Sequence, residues 1–348
     1  MEDLQHRCLP TTTAGATCWT SRLRGRSATP ATADTSVGRN PYIRTMAVRV
    51  QINDDDVRGW VEVAHGSRLL QHCLRNAGEP QTGSPFAQVA ELYPFEKVSD
   101  RARAYLTAAI EHLIFWADLQ APLKFHPEQS NEVTLRPSYT LARASLESAA
   151  QAVWLMDTTD PMECIRRHIC LMRWDLQELR KSKLDAAEKA KAKDLERALA
   201  HRVSDVFADD QVRVPNGYLD VIRSACAAEG VALEPDDAER IWRAASGAAH
   251  GKYWPTLELQ QAVPVEEALG ESRTVLIPDV DGISEVLRAA HAVTQVGVLR
   301  FLDYSGADIA EAIETARDWV SEVIPLKDGV DREDLRHRGT LLGDGTSK

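Results

Sequence analysis

The segment that begins at Asp160 constrains the fold of this chain most strongly. Asp160 suits a helix N-cap, Pro161 suits the first helical position, and Glu163 follows three residues after the cap, which is typical of a capping box. Apolar residues then recur at spacings of three and four: Met162, Ile165, Ile169, Met172, Leu176 and Leu179. This period predicts a helix over 160–180 whose apolar seam is central to the core. The seam covers less than three heptads, so packing within a bundle explains it as well as a coiled coil does.

Helical periodicity also covers most of the rest of the chain. Further helices are predicted after Asp56, Ser99, Pro137, Gly217 and Pro235, and over 281–304 and 307–324 with Gly306 between them. Residues 79–97, rich in Pro and Gly, predict a connection that runs over the surface. Alternation at 256–260 and the apolar stretch 274–277 predict at most two strands. We therefore expect an all-α protein, a bundle of about six to eight helices with a short two-stranded excursion near 256–277.

Four regions differ in composition. Residues 1–45 are rich in Ser, Thr, Ala and Arg and show no period, so we expect a disordered tail. Two alternatives are an organelle transit peptide and a translation start at Met46. Disorder or a misplaced start is favoured over targeting. An N-terminal helix and its connection occupy 46–97, the all-α body 98–326, and a second loose tail 327–348.

The charge and the cysteines exclude several classes of protein. The chain has 41 Lys and Arg against 52 Asp and Glu, a net charge of -11, so diffuse attraction to nucleic acid or to an anionic bilayer is disfavoured and any phosphate contact must be local. No apolar run reaches the roughly 18 residues of a membrane helix, and we expect a cytoplasmic protein without membrane contact. The six cysteines are too scattered for a disulfide framework. Cys164, His168 and Cys170 do not share a helix face, so we expect no metal site.

Common enzyme motifs are missing from the sequence. It contains no HExxH, no GxSxG, no P-loop and no GxGxxG that follows a strand, which makes the common hydrolase, kinase and dinucleotide-binding classes improbable. We expect no cofactor.

Arginines form a stripe along the predicted helix 160–180. Arg166, Arg173 and Arg180 repeat every seven residues and therefore stack on one side of the helix, away from the apolar seam. They are interpreted either as a solvated flank that pairs with carboxylates of a neighbouring helix or as an edge that binds phosphate groups.

One group of residues near the end of the helix that starts at Pro235 has the composition of a catalytic site. Arg243 and His250 are seven residues apart, so they project within about 20° of each other and about 10 Å apart along the axis. Gly247 lies between them on the same side. An internal glycine costs a helix about 1 kcal/mol relative to alanine, which indicates that another group approaches the backbone there.

The run from Arg243 to His250, with Ser246 between them, resembles the Arg-x(4 to 6)-His signature of the HEPN superfamily, over roughly residues 98–254. An Arg and Glu pair on an early helix, Arg143 and Glu147, resembles uncharacterised bacterial members. Active members are metal-independent endoribonucleases in which two such helices meet across a dimer. The resemblance implies that His250 acts as general base or acid on a ribose 2′-hydroxyl and that Arg243 stabilises the phosphoryl oxygens. Ala244 differs from the polar residue that usually follows the arginine.

The resemblance therefore predicts a homodimer that acts on RNA, a ribonuclease of toxin or phage-defence type. Its catalytic residues are Arg243 and His250, and its substrate-binding residues are Arg166, Arg173 and Ser246. The alternative is a non-catalytic interaction or scaffold protein, whose protein partner the sequence does not identify. In that alternative Arg243 pairs with a carboxylate, His250 donates to a backbone carbonyl and Gly247 admits a neighbouring helix.

Overall fold

The computed structural model describes residues 54–123, 133–268 and 271–324. Within these ranges the chain forms eleven helices and one pair of strands: α1 Asp54–Asn76, α2 Pro85–Leu92, α3 Val98–Gln120, α4 Leu135–Met156, α5 Pro161–Ser182, α6 Ala186–Arg202, α7 Tyr218–Cys226, α8 Pro235–Ala249, α9 Trp254–Glu258, β1 Gln260–Ala268, β2 Glu271–Pro278, α10 Val280–Ser305 and α11 Ile309–Val323. The predicted all-α class with a two-stranded excursion is confirmed. The predicted tails, 1–45 and 327–348, lie outside the described residues.

The predicted start of α5 is confirmed, but its capping box is wrong. Asp160 Oδ1 accepts a hydrogen bond from the Met162 amide at 2.9 Å. The Glu163 carboxylate does not reach back to Asp160; it accepts instead from Arg166 and Arg167 at 2.6–2.8 Å. Charge-assisted bonds to guanidinium groups are stronger than one to a backbone amide, so the arginines of the next turn hold this carboxylate.

Helix α4 forms the centre of the core. It packs against α3, α7, α8 and α10, and its buried face is rich in alanine: Ala142, Ala149, Ala150 and Ala152. Small side chains let neighbouring backbones approach closely, as they also do at Gly297 of α10, where an added Cβ would lie 2.6 Å from Leu106 Cδ2. The seam of α5 is buried at Ile165 and Ile169, packs half-buried against the core at Met172 and Leu176, and leaves only Leu179 exposed, at 38%, so this helix leaves the core in its last turn.

Residues 79–97 differ from the predicted surface connection because they contain α2. Ser84 is its N-cap, accepting a hydrogen bond from the Ala87 amide at 3.3 Å, and Pro85 occupies the first turn. Phe86 and Val89 are buried, and the Phe86 ring packs against Phe301 of α10. Proline is favoured at the first position of a helix, so here it starts a helix instead of marking a loop.

The strands form an antiparallel hairpin, with Gln260 opposite Pro278 and Val263 opposite Val275. Residues 256–258 belong to α9, so the part of the predicted strand that precedes 260 is wrong. The predicted break between the last two helices is confirmed, since Gly306 caps α10 with φ 74°, a left-handed conformation that favours glycine. No helix in the described part of the chain is long and apolar enough to cross a bilayer.

We expect Gly297→Val to destabilise the fold by about 1–3 kcal/mol, because added methyl groups overpack the contact with Leu106 and Val153. Urea unfolding followed by circular dichroism measures the change. Gln295→Val is the matched control, since it adds the same side chain to the same helix at a half-buried position, and it should alter the free energy of unfolding far less. Equal effects of the two substitutions would contradict the assigned role of the close contact at Gly297.

Two half-buried histidines make stability depend on pH. Burial lowers the pKa of His291 to about 4, and burial together with nearby Arg68 lowers the pKa of His65 to about 4. The unfolded chain, with a histidine pKa of about 6.5, binds more protons between these values, so stability falls as the pH drops from 6.5 toward 4.

From pH 7 to pH 5 we expect a loss of about 2 kcal/mol for each of these histidines. His291→Asn should remove its share of the dependence, whereas His201→Asn, which changes an exposed histidine, should leave it intact. The free energy of unfolding in urea at the two pH values measures both effects. An unchanged pH dependence in His291→Asn would contradict the prediction.

Candidate functional site

The carboxyl end of α8 presents both predicted catalytic residues at the surface. Arg243 and His250 are exposed, and Ser246 between them is half-buried. The helix remains regular up to its C-cap, where the His250 amide donates to the Ser246 carbonyl at 3.1 Å. A regular helix keeps residues seven apart on nearly the same side, so the two residues share one exposed side of α8, with the Arg243 guanidinium held toward Glu239 and away from His250.

Arg243 is held by a carboxylate one turn earlier. Its Nε and Nη2 atoms both lie 2.8 Å from Glu239 Oε1. Glu239 Oε2 also accepts from Arg223 at 2.7 Å, and Arg223 in turn pairs with Asp236. Hydrogen bonds from Arg243 first, and then from Arg223, lower the pKa of Glu239. The arginine therefore has the carboxylate partner that the alternative interpretation expects, in an exposed pair that water screens.

The surroundings of His250 differ from those that the non-catalytic alternative predicts. Among the described residues its imidazole makes no hydrogen bond to a backbone carbonyl or to any other group. The ring is therefore open to solvent and able to exchange a proton with a molecule that approaches the helix end.

Gly247 is the point at which α9 packs on α8. An added Cβ would lie 2.8 Å from Pro255 Cγ and 2.9 Å from Trp254 Cζ2. This contact explains the internal glycine by helix packing, as the alternative interpretation expects. It also leaves a patch of large apolar side chains beside His250, with Tyr253 64%, Trp254 40% and Leu257 66% exposed.

Arg166 and Arg173 bind the segment that follows α6. Arg166 Nη1 donates to the Gln211 carbonyl at 2.8 Å, and its other nitrogens hold Glu163. Arg173 Nη1 donates to the Val212 carbonyl at 3.0 Å and forms an ion pair with the Asp209 carboxylate at 2.9 Å. Both guanidinium groups thus attach a loop to α5, and their contact with a substrate stays a prediction.

A polar cluster joins α4 to α8. Glu147 Oε1 accepts hydrogen bonds from Arg143 Nε and from Trp242 Nε1, each at 2.7 Å. The Arg143 guanidinium lies 5.5 Å from the centre of the Trp242 ring, a favourable cation–π contact. The sequence indicates the pair Arg143 and Glu147, four residues apart, but nothing local connects either residue with Trp242.

The cysteines of α5 lie in the apolar core. Cys164 and Cys170 are buried free thiols, and burial raises the pKa of Cys164 to about 12. No group of three or more potential metal ligands occurs within the described ranges. The His168 ring lies beside the carboxylate of Glu96, with 3.3 Å between Nε2 and Oε2.

We expect Trp242→Phe to destabilise the fold by about 1–2 kcal/mol, because the substitution removes one of the donors to a half-buried carboxylate. Tyr253→Phe is the control, since the Tyr253 side chain is 64% exposed and its hydroxyl makes no hydrogen bond within the described residues. Thermal unfolding measures both. In a Glu147→Gln background the effect of Trp242→Phe should shrink, and an additive double variant would contradict the assigned bond.

Comparison of the chain with protein-family models, with curated proteins and with solved structures gives no match.

Proposed function

We propose that this protein is a HEPN-like, metal-independent endoribonuclease of the toxin or phage-defence type that works as a homodimer. The observation that carries the proposal is the exposure of Arg243 and His250 together on one helix end, with the His250 imidazole unpaired within the described residues. The resemblance assigns the reaction class, and the geometry is compatible with it.

His250 and Arg243 have different roles in the cleavage of an RNA chain. The imidazole of His250 takes the proton of a ribose 2′-hydroxyl, whose oxygen attacks the adjacent phosphorus to form a 2′,3′-cyclic phosphate. The bond from phosphorus to the 5′-oxygen of the next nucleotide breaks, and that oxygen takes a proton from water and leaves as a 5′-hydroxyl. The Arg243 guanidinium donates paired hydrogen bonds to the phosphoryl oxygens as their negative charge grows. Ser246 lies one turn before His250 and supplies a hydroxyl at the same side of α8.

Residues that follow His250 supply contacts suited to single-stranded RNA. Lys252 adds a positive charge, and Tyr253 and Trp254 expose aromatic surface on which bases stack at about 1–3 kcal/mol each. These contacts are local, which agrees with a chain whose net charge is -11 and which cannot attract RNA by its overall field.

The homodimer is proposed because the resemblance implies two α8 helices that meet. Exposed apolar surface at Tyr253 and Leu257 supports such a contact, since large apolar side chains gain from being covered. Two helix ends brought together would place two histidines and two arginines around one strand of RNA.

A non-catalytic interaction protein is the second candidate. It is favoured by the ion pair of Arg243 with Glu239 and by the packing of α9 on Gly247, which account for two of the three key residues without a substrate. On this alternative the patch at Tyr253 and Leu257 would bind a protein partner.

Expression of the wild type and of His250→Ala in the same cells tests the proposal, with growth and RNA integrity followed. We expect the wild type to degrade RNA and to arrest growth, and His250→Ala to lose at least about 100-fold in cleavage, the usual contribution of a general base. Arg243→Lys should also lose activity, because a lysine keeps the charge but not the paired donors.

His201→Ala is the control, since it removes an exposed histidine from α6 and should leave cleavage unchanged. Purified protein should cleave labelled single-stranded RNA equally with and without a chelator. If the wild type and His250→Ala leave the same RNA intact, the ribonuclease proposal fails and the interaction protein is favoured.

A further inference from the structure

The hairpin formed by β1 and β2 has no third strand. Its strands pair with each other, and within the described ranges no further strand pairs with either outer edge. Among the helices, α9 contacts the hairpin most, at β1. An isolated two-stranded hairpin is only marginally stable in water, and a third strand or a helix packed on it supplies the missing stability. Either outer edge can therefore gain from a partner strand.

Hydrogen bonds at the base attach this hairpin to the helical body. The Asp279 amide donates to the Leu259 carbonyl at 2.9 Å. The Asp279 carboxylate accepts from Gln261 Nε2 at 2.6 Å and from the Gly282 amide at 3.0 Å. These bonds join the two ends of the hairpin to each other and to the first turn of α10.

The bond at the base also determines which backbone groups point outward. In an antiparallel pair, residues that exchange hydrogen bonds alternate with residues whose N–H and C=O point away from the partner strand. Leu259 and Asp279 continue the register of the two strands and are bonded to each other. The next bonded pairs are therefore Gln261 with Ile277, Val263 with Val275, and Val265 with Arg273. The outward pairs between them are Gln260 with Pro278, Ala262 with Leu276, and Pro264 with Thr274.

The prolines of the hairpin agree with this assignment. Pro264 and Pro278 have no N–H to donate, and both belong to the outward pairs, where proline is tolerated in a strand. Pro264 interrupts the outer edge of β1. The outer edge of β2 meets a proline only at its end, and before that it presents the N–H and C=O groups of Ser272, Thr274 and Leu276.

The outer edge of β2 thus lacks the protection that the edge of β1 has. Proteins protect exposed edges with proline, charges or bulges, because an open edge is a template for another strand. Residues 274–277 read Thr-Val-Leu-Ile and contain no charge, a composition that favours strands. Proline on one edge alone indicates that β2 is the edge that receives a partner.

We propose that this protein forms a homodimer in which the outer edges of two β2 strands pair antiparallel, with the two-fold axis at Thr274. Thr274 stands opposite the partner's Thr274, and Ser272 stands opposite the partner's Leu276. Each copy offers three N–H and three C=O groups at these positions, so six hydrogen bonds form between the copies. The two hairpins become one four-stranded antiparallel sheet.

A second copy fits this edge for two reasons. Antiparallel pairing of an edge with itself is self-complementary, as a closed dimer with two-fold symmetry requires. In this register Arg273 stands opposite the partner's Val275, and Glu271 stands opposite the partner's Ile277, so no like charges face each other directly. The resulting sheet also exceeds the three strands that independent stability requires.

This inference rests on the proposed function for the homodimer, to which it adds a contact. It does not depend on the catalytic roles of Arg243 and His250. The oligomeric state and the cleavage of RNA can therefore be measured as separate outcomes.

Sedimentation equilibrium of the full-length protein tests the proposal. We expect the wild type to be a dimer and Thr274→Pro to raise the dissociation constant of the dimer at least about 10-fold, because it removes both N–H groups at the two-fold axis. Ala262→Pro is the matched control, since it makes the same substitution at an outward position of β1, and it should dimerise as the wild type does. Thr274→Val keeps the N–H and should also dimerise. Circular dichroism verifies that each variant folds.

Chemical cross-linking locates the axis. In a chain with Cys8→Ser and Cys18→Ser, the thiols of Cys73, Cys164, Cys170 and Cys226 are buried. Thr274→Cys in that chain should give a covalent dimer with a short bismaleimide, because the two new thiols face each other across the axis. Ala262→Cys, on the opposite edge of the hairpin, should not.

The possible outcomes separate this contact from the proposed function. A monomeric wild type would overturn the contact and the homodimer together. A dimer that persists in Thr274→Pro, or that Ala262→Pro weakens equally, would overturn the contact alone and leave the homodimer to another surface. If the wild type does not cleave RNA and only Thr274→Pro dissociates, the ribonuclease fails and the contact stands.

Discussion

The close approach of α4 to its neighbours determines where the helices packed against it lie, namely α3, α7, α8 and α10. Alanines at 142, 149 and 150 are fully buried, and Gly297 lets Leu106 fill the space that a Cβ would occupy. Even the polar residues at this contact are small, since Ser145 and Thr294 meet at 3.4 Å within the core. Because small side chains let the backbones come close at these points, the helices packed there have little freedom to shift. The orientation of α8, and with it the outward direction of Arg243, follows from this packing.

Polar contacts then determine how α8 is held on α4. Glu147 accepts from both Arg143 and Trp242, so its carboxylate is satisfied by one donor from each helix. A half-buried oxygen that accepts from both helices favours one arrangement of the two helices over its neighbours. Trp242 thus faces α4 while the next residue, Arg243, is exposed. At the far end, Trp254 and Pro255 cover Gly247 and limit the motion of the last turn, which keeps Ser246 and His250 in a defined relation.

Features set by neighbouring residues could be predicted from the sequence, and features set by distant contacts could not. The start of α5 at Asp160 and Pro161, the start of α8 at Pro235 and the break at Gly306 each depend on a few adjacent residues and are confirmed. The direction of the Glu163 carboxylate was missed because it depends on competition between donors. The partners of Arg166 and Arg173 lie more than 30 residues away along the chain, and the bond from Trp242 spans 95 residues. Within the candidate site, local spacing predicts that Arg243 and His250 share a side. It does not predict that α9 packs on Gly247.

The ion pairs around Glu239 explain how an arginine can be neutralised and still be available to a phosphate group. Glu239 is shared, with one oxygen facing Arg243 and the other facing Arg223. If a phosphate draws the Arg243 guanidinium away, Glu239 keeps Arg223, and Arg223 keeps Asp236 as well. No charge is then left buried and unpaired, which is the situation that makes the loss of an ion pair costly. The exchange therefore replaces one screened contact by another, and a bidentate phosphate contact is the stronger of the two.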